Sequence, residues 1–317
     1  MKANFNRTID ESRAKILSTF FSKALDMKLT PEQVNEAADL FVRVESGLHG
    51  RIAGDIDDYL LNFFIRKKAA QVFREGRVQV EIGLLFGGSF IYTLLGVLED
   101  SNDIFIGIDP LNGYYINDPE RASYIDHISK VPVTKDVLLK NIDIFNIPHD
   151  RYEILEGYST DKDILANMKG VKVSVLFIDG DHTYQGVKSD YELYAPVVEE
   201  GGYIIFDNYN DYFWPEVKLY CDELLSNPNC RVCNPIIFNR SLIVQKGNIK
   251  SAKDLISFQS NYNYISRDVI NRKAVKNEIN LLRKEIEIRD KEIERKERQL
   301  KWAHSKIEEK QAIIDEK

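Results

Sequence analysis

The chain has 317 residues, 44% of them hydrophobic, which is enough for one large core or two smaller ones and excludes wholesale disorder. Its 43 basic residues are outnumbered by 50 acidic ones, and a net charge of −7 argues against a general nucleic-acid binder. No secretion signal and no transmembrane segment is apparent. We therefore expect a cytoplasmic protein whose contact with a membrane, if made, goes through a partner.

Residues 1–76 are predicted to be a helical region that covers the core. A capping-box spacing begins at Thr8, and Thr30 followed by Pro31 marks a second helix start. A third helix is predicted over 57–73. A lid or an oligomer contact is the alternative role for these helices.

Residues 77–250 alternate short β-rich runs with helical patterns. The predicted strands are 78–82, 104–109, 152–155, 173–179, 203–207, 232–238 and 242–245. Several of these runs are apolar on both faces and helices separate the first five, which predicts a parallel sheet with helices on both sides. The last two strands are separated only by Asn239 and Arg240, too short for a crossover, so they should form an antiparallel hairpin. We therefore predict an α/β fold with a Rossmann-like, seven-stranded sheet.

The three cysteines indicate a reducing compartment because they cannot form a closed set of disulfides. Cys230 and Cys233 are two residues apart, but no second cysteine pair or histidine pair with ligand spacing completes a zinc site. We interpret both as ordinary strand residues.

The C-terminal part divides into a linker, 251–267, and a predicted coiled coil, 268–317. Apolar residues recur there at steps of three and four, and every a position from Ile279 to Ile314 is apolar. Arg289 and Lys296 interrupt the d positions, so the pattern predicts a homo-oligomer without fixing its number of subunits. A solvated single helix is the alternative.

A glycine turn follows the first predicted strand in the sequence VEIGLLFGGS, where Gly83 and Gly87 let the backbone approach a ligand closely. The spacing differs from G-x-G-x-x-G, which disfavours a nicotinamide dehydrogenase. Asp109 ends the next strand, 28 residues after Glu81. In a doubly wound sheet a carboxylate at this position can accept hydrogen bonds from two ribose hydroxyls.

Two further apolar strands end in polar residues. Asp179 ends one of them, and 28 residues later Asp207 and Asn208 end the other. If the strands are neighbours, these oxygens can bind one cation, and all-oxygen ligation favours Mg²⁺ or Mn²⁺ over Zn²⁺. His182 lies at the same edge, and its ordinary pKa range suits a general base that removes a hydroxyl proton.

These motifs resemble those of class I S-adenosylmethionine-dependent O-methyltransferases. VEIGLLFGGS resembles the first family motif, IGID the ribose-binding acid, and FIDGDHTYQGVKSDYELYAPVVEEGGYIIFDNY the fourth and fifth strand regions. The last segment is similar to the metal-dependent branch that includes macrolide-sugar (macrocin-type) and catechol-type O-methyltransferases. The resemblance spans about residues 77–247, and 77–250 is the predicted methyltransferase domain.

The resemblance implies a role for each matching residue. S-adenosylmethionine would contact Glu81, Gly83, Gly87 and Ser89 on its methionine side, Asp109 at the ribose, Gly157, Tyr158 and Ser159 at the adenine edge, and Asp179. The implied ligands of Mg²⁺ or Mn²⁺ are Asp179, Asp207 and Asn208. His182 matches the catalytic base position of the sugar-directed branch, where catechol-type enzymes usually have a lysine.

We therefore predict a Mg²⁺-dependent O-methyltransferase that methylates a hydroxyl of a sugar or glycan. The coiled coil favours a surface polysaccharide as the acceptor and a glycan-assembly protein as a partner. A phenolic or antibiotic-like small molecule is the rival acceptor. A non-catalytic adaptor with a methyltransferase fold is the alternative from another class, and the intact set Asp109, Asp179, His182, Asp207 and Asn208 argues against it.

Overall fold

The computed structural model describes residues 7–73, 76–113, 124–126, 128–227 and 229–247. The predicted linker and coiled coil lie outside these ranges. The helices are α1 Glu11–Leu25, α2 Pro31–Gly47, α3 Ile56–Val72, α4 Gly88–Val97, α5 Lys135–Ile144, α6 Lys162–Asn167, α7 Tyr184–Tyr194 and α8 Pro215–Ser226. The strands are β1 Val78–Ile82, β2 Ile104–Asp109, β3 Tyr152–Glu156, β4 Val173–Ile178, β5 Val198–Phe206, β6 Val232–Phe238 and β7 Ser241–Lys246.

All seven strands form one sheet in the order β3-β2-β1-β4-β5-β7-β6. The first five strands are parallel, and β7 pairs antiparallel with both β5 and β6. This arrangement confirms the predicted Rossmann-like sheet with its terminal hairpin. The order reverses between β1 and β4, and in open α/β sheets ligands bind at such a switch point, outside the carboxyl ends of the strands.

The two faces of the sheet are covered differently. One face packs its apolar side chains against α6, α7 and α8. The other lies against α3 and α4, and α1 and α2 pack in turn on these helices. Helix α3 is therefore enclosed on several sides, which explains why even its polar residues, such as Asn62 and Arg66, are buried.

Two elements start two or more residues away from the predicted position. Helix α1 begins at Glu11 rather than after Thr8, because the Asp10 side chain accepts a hydrogen bond from the Arg13 amide and caps the helix there. Strand β5 begins at Val198, five residues before the predicted start at Tyr203, because Val198 still pairs with Val173 across an irregularity in the register. The predicted capping box of α2, made by Thr30 and Gln33, is confirmed.

No helix among the described residues is both long enough and apolar enough to cross a bilayer.

Candidate active site

The glycine turn connects β1 to α4 at the switch point of the sheet. The Gly83 amide donates to the Ile108 carbonyl at 2.9 Å, and Gly87, in the left-handed region at φ 76°, precedes the first residue of α4. Gly83 also has a positive φ, 91°, and its α-carbon faces the backbone of Asp179. The glycines predicted from the sequence therefore bring β1, β2 and the end of β4 together.

Asp109 fastens this turn to β2. Its carboxylate accepts hydrogen bonds from the amides of Leu84, Leu85 and Leu111 at 2.6, 3.2 and 2.7 Å. Burial raises the pKa of Asp109, although the three backbone donors oppose the rise. A carboxylate has about four lone-pair positions, so this arrangement leaves room for a further donor such as a hydroxyl. Asp109 lies where the sequence predicts it, but three of its hydrogen bonds hold the protein's own loop.

Replacing Gly83 by alanine should disturb the turn and β4 together. A Cβ at Gly83 would lie 2.0 Å from the Asp179 carbonyl oxygen, so one of the two segments must move. We expect a loss of about 1–3 kcal/mol in the free energy of unfolding and weaker S-adenosylhomocysteine binding. Gly170 is the matched control, since its φ is also positive, 75°, and a Cβ there meets nothing within 4 Å. Equal effects of Gly83→Ala and Gly170→Ala, measured by urea unfolding and calorimetry, would contradict this prediction.

A buried ion pair lies beneath the glycine turn. Glu81 of β1 and Arg66 of α3 are fully buried, and Arg66 Nη2 donates to Glu81 Oε2 at 2.6 Å. Arg66 Nε donates to Asn62 Oδ1 at 3.0 Å, and its guanidinium lies 5.2 Å from the ring centre of Phe105. Burial raises the pKa of Glu81 to about 7, although Arg66 opposes the rise. No sequence pattern indicated the role of Arg66, because its partner Glu81 lies on a different element.

Besides Nη1 of Arg66 and Nδ2 of Asn62, two oxygen atoms beside the glycine turn make no aligned hydrogen bond among the described residues. They are Oε1 of Glu81 and Oγ of Ser89, both buried. One belongs to the end of β1 and the other to the first turn of α4, so they flank the glycine turn that joins these elements. The Ser89 hydroxyl is near enough to Glu81 to lower the pKa of that carboxyl, and a ligand with a donor group could pair with the same oxygens.

The predicted adenine-edge residues lie beside Asp109. The Gly157 amide donates to the Asp109 carbonyl at 3.1 Å, which places the loop after β3 against the end of β2. Tyr158 is exposed, whereas the Ser159 hydroxyl donates to Asp190 Oδ1 at 2.5 Å. The backbone therefore brings the predicted ribose and adenine residues together, but the Ser159 side chain points to α7.

Asp179, His182 and Asp207 converge at the carboxyl ends of β4 and β5. The Asp179 amide donates to Ile82 at 2.9 Å and the Asp207 amide to Ile178 at 3.1 Å, so both residues lie at the same sheet edge. One side-chain oxygen or nitrogen from each of the three residues lies within 4.8 Å of those of the other two. The geometry thus brings together residues that the sequence predicts to be ligands and a base.

The electrostatics of this cluster indicate a deficit of positive charge. Burial raises the pKa of Asp179 to about 7, and the facing carboxylate of Asp207 adds to the rise. Burial also raises the pKa of Asp207, against the effect of Arg240. For His182, burial lowers the pKa, but Asp179 outweighs it and the net shift is upward. A divalent cation would stabilise the ionised forms of these two carboxylates, which burial disfavours.

His182 is oriented by the aromatic loop after β5. Its ring stacks on Trp214, with 4.8 Å between centroids and 25° between planes. Nε2 lies 3.3 Å from Asp179 Oδ1, yet it makes no aligned hydrogen bond within the described part of the chain. The loop also carries Tyr212 and Phe213, which are 90% and 65% exposed. This aromatic run was not predicted, although the sequence YFW begins only four residues after Asn208.

The comparisons with known proteins agree with this arrangement. A family model described as a methyltransferase domain matches residues 80–209. Uncharacterized protein R132 of Acanthamoeba polyphaga mimivirus is 32% identical over 184 residues, which cover 56% of this chain and 73% of that protein. Residues 80–209 are therefore a methyltransferase domain.

Solved structures similar to this methyltransferase domain include two O-methyltransferases. The O-methyltransferase NovP is 20% identical, with a TM-score of 0.47, and the match covers 58% of this chain and 78% of NovP. The TDP-rhamnose 3'-O-methyltransferase CalS11, from calicheamicin biosynthesis, is 18% identical, with a TM-score of 0.45 and coverage of 76% and 97%. TDP-rhamnose is the substrate named for CalS11, and that name does not assign an acceptor to this chain.

Proposed function

We propose that this methyltransferase transfers the methyl group of S-adenosylmethionine to a sugar or glycan hydroxyl, with a bound Mg²⁺ or Mn²⁺ and with His182 as the base. The observation that carries the proposal is the convergence of Asp179, His182 and Asp207 at the switch-point edge, next to the glycine turn. A histidine between two carboxylates can accept a proton, and the same carboxylates can hold a cation.

The residues around the glycine turn fit S-adenosylmethionine. The unpartnered Oε1 of Glu81 and Oγ of Ser89 are suited to the amino-acid end of the cofactor, whose ammonium donates hydrogen bonds. Asp109 retains acceptor capacity for a ribose hydroxyl, and Tyr158 is exposed beside it. Gly83 and Gly87 allow the turn to pack closely against the protein, since a Cβ there would lie 2.0 Å from the Asp179 carbonyl oxygen and 2.2 Å from Leu138 Cδ1.

The acidic pair fits a hard divalent cation. Asp179 and Asp207 supply carboxylate oxygens and Asn208 an amide oxygen, the donor set that Mg²⁺ and Mn²⁺ prefer. A bound divalent cation would lower the pKa of an acceptor hydroxyl. Burial is the main cause of the raised pKa of Asp179 and of Asp207, and a divalent cation would offset it by stabilising both ionised carboxylates.

The protein's own task in the transfer is alignment and proton removal. The acceptor oxygen forms a bond to the methyl carbon while the carbon–sulfur bond breaks, and the electron pair of that bond remains on sulfur. The hydroxyl proton passes to Nε2 of His182, which Trp214 holds in place. Asp179 stabilises the imidazolium that results, since it lies 3.3 Å away.

The aromatic loop supports a ring-shaped acceptor. Tyr212 and Phe213 present exposed rings beside Trp214, and aromatic faces of this kind contact both sugar rings and planar phenols. The sugar preference comes from His182, which matches the base position of the sugar-directed branch. A phenolic acceptor is the second candidate, because the same aromatic surface fits it.

A methyl-transfer assay tests the proposal. Labelled S-adenosylmethionine is incubated with nucleotide sugars and oligosaccharides that carry vicinal hydroxyls, and with catechols in parallel, with Mg²⁺ and again with EDTA. We expect label in the sugars, with EDTA and Asp207→Asn each abolishing transfer. Label confined to catechols would replace the sugar proposal, and transfer that is indifferent to EDTA and Asp207→Asn would refute the metal assignment.

We also propose that residues 268–317 assemble the enzyme into an oligomer and position it against a partner. The support is the apolar repeat in the sequence. Deletion of 268–317 should lower the mass measured by analytical ultracentrifugation while leaving transfer to a small acceptor intact. Unchanged assembly, partner binding and product length would refute this role.

A further inference from the structure

The hairpin between β6 and β7 reaches the candidate metal site from the side opposite the glycine turn. Its turn residues are Asn239 and Arg240, and the next residue, Ser241, donates to Asp207 Oδ1 at 3.4 Å. The hairpin therefore ends beside the carboxylate and amide that we propose as cation ligands. A chain of polar contacts continues from there.

The first link of this chain is Asn208. This residue turns the backbone away from β5 in the left-handed region, φ 58°, and its Nδ2 donates to Asp211 Oδ2 at 3.1 Å. Because the two polar atoms of an amide point in different directions, the bond to Asp211 fixes where Oδ1 points. That oxygen is the ligand atom proposed for Asn208.

The second link is Asp211, whose side chain is 9% exposed. Arg240 Nη1 donates to Asp211 Oδ2 at 3.1 Å, and the Phe213 amide donates to Oδ1 at 2.9 Å. Both oxygens of Asp211 are therefore engaged. The position of the Asp211 carboxylate is therefore set by Arg240 and by the Phe213 amide, and this carboxylate in turn sets the position of the Asn208 side chain.

The third link anchors Arg240 to α3. Its backbone amide donates to Asp58 Oδ1 at 3.2 Å, and its guanidinium lies 3.6 Å from Asp58 and 3.5 Å from Asp55. Asn239 Nδ2 donates to Asp58 Oδ2 at 2.9 Å. The guanidinium is thus held between the start of α3 and the loop after β5.

We propose that Arg240 is a positioning residue that fixes Asn208, through Asp211, as a ligand of the divalent cation. This inference rests on the proposed function, because it assumes a cation at Asp179, Asp207 and Asn208. Residues behind metal ligands commonly orient them, and their loss typically weakens metal binding about 10- to 100-fold. The charge of Arg240 acts in the opposite direction, since a cation near the site repels another cation. Removing Arg240 therefore weakens binding only if its positioning role dominates.

A double-mutant cycle on Mn²⁺ affinity tests this role in the full-length protein, with free Mn²⁺ measured by electron paramagnetic resonance. We expect Arg240→Gln to weaken Mn²⁺ binding about 10-fold. Asn208→Ala should weaken it at least as much, and the double variant should bind no more weakly than Asn208→Ala alone. Arg231→Gln is the control, because Arg231 pairs with Glu200 on an exposed surface.

The outcomes separate the two proposals. Additive losses, or unchanged or tighter binding in Arg240→Gln, would overturn the positioning role. A wild-type protein that binds no Mn²⁺ would overturn the cation site itself, and the positioning role with it. If thermal unfolding shows that Arg240→Gln does not fold, Asp211→Ala removes the middle link of the same series of contacts and leaves Asp58 in place. Its double-mutant cycle with Asn208→Ala must then show the same non-additivity.

Discussion

Arg66→Met should lower the free energy of unfolding by about 3–5 kcal/mol, because it leaves the fully buried Glu81 carboxylate without its counter-charge. The double variant Arg66→Met/Glu81→Gln should recover more than half of this loss, since neither buried charge remains. Arg231→Met removes a pair whose side chains are 63% and 60% exposed, and it should cost less than about 1 kcal/mol. Urea unfolding measures all four proteins.

The cost of Arg66→Met should also grow with pH. Burial raises the pKa of Glu81 in the folded protein to about 7, above its ordinary 4.5. Between these two values the folded state binds more protons than the unfolded state. The contribution of Glu81 to the free energy of unfolding therefore falls as the pH rises from about 4.5 to about 7. Without Arg66, which opposes the rise, the folded pKa is higher still and the fall extends to higher pH. The difference between wild type and Arg66→Met should therefore be larger at pH 8.5 than at pH 6. A difference independent of pH would show that the ion pair is not its source.

His182→Gln should reduce kcat by about 10²–10⁴, the usual contribution of a general base, while S-adenosylhomocysteine and Mn²⁺ bind with nearly unchanged affinity. The reason is that His182 receives the proton, whereas Asp179, Asp207 and Asn208 hold the cation. His149→Gln is the matched control, since His149 lies away from the cluster, with Nδ1 3.0 Å from the Tyr152 hydroxyl. Steady-state kinetics and Mn²⁺ titration measure the two quantities separately.

The Mn²⁺ titration also distinguishes the two roles that the geometry allows His182. Its nitrogen lies as close to the two carboxylates as a third ligand would. A large loss of Mn²⁺ affinity in His182→Gln would make it a ligand and contradict its assignment as the base. Full activity in this variant would contradict both roles.

The sequence predicted the sheet well because its signals are local. Strands that are apolar on both faces, separated by helical patterns, were sufficient to predict the parallel sheet. The short connection at Asn239 and Arg240 was sufficient to predict the terminal hairpin. The start of β5 was missed because Glu199, Glu200 and two glycines resemble a turn, yet Val198 still pairs with β4.

The candidate site was predictable where it depends on strand ends. Asp109, Asp179 and Asp207 each follow an apolar run, and parallel strands bring such residues to one edge. The proximity of these residues could therefore be predicted from the sequence, but their hydrogen-bond partners could not. Asp109 accepts hydrogen bonds from the amides of Leu84, Leu85 and Leu111, and no sequence pattern indicated them.

The supporting contacts could not be predicted, since they join residues distant in the sequence. Arg66 lies in a helix that the sequence analysis took only as cover, and its partner Glu81 belongs to the first strand. Arg240 was noticed only as a turn residue, although its guanidinium contacts Asp55, Asp58 and Asp211. Such pairs depend on how helices and strands pack against one another, and no short segment of the sequence indicates that packing.

Calorimetric titration with S-adenosylhomocysteine tests the central claim most directly, run on the full-length protein with Mg²⁺ and again with EDTA. We expect micromolar binding under both conditions, because Asp207 and Asn208 are not among the residues implied to contact the cofactor. Asp109→Ala should weaken that binding, whereas Gly170→Ala should not. A folded protein that shows no binding under either condition would contradict the methyltransferase assignment of the site and favour the adaptor role.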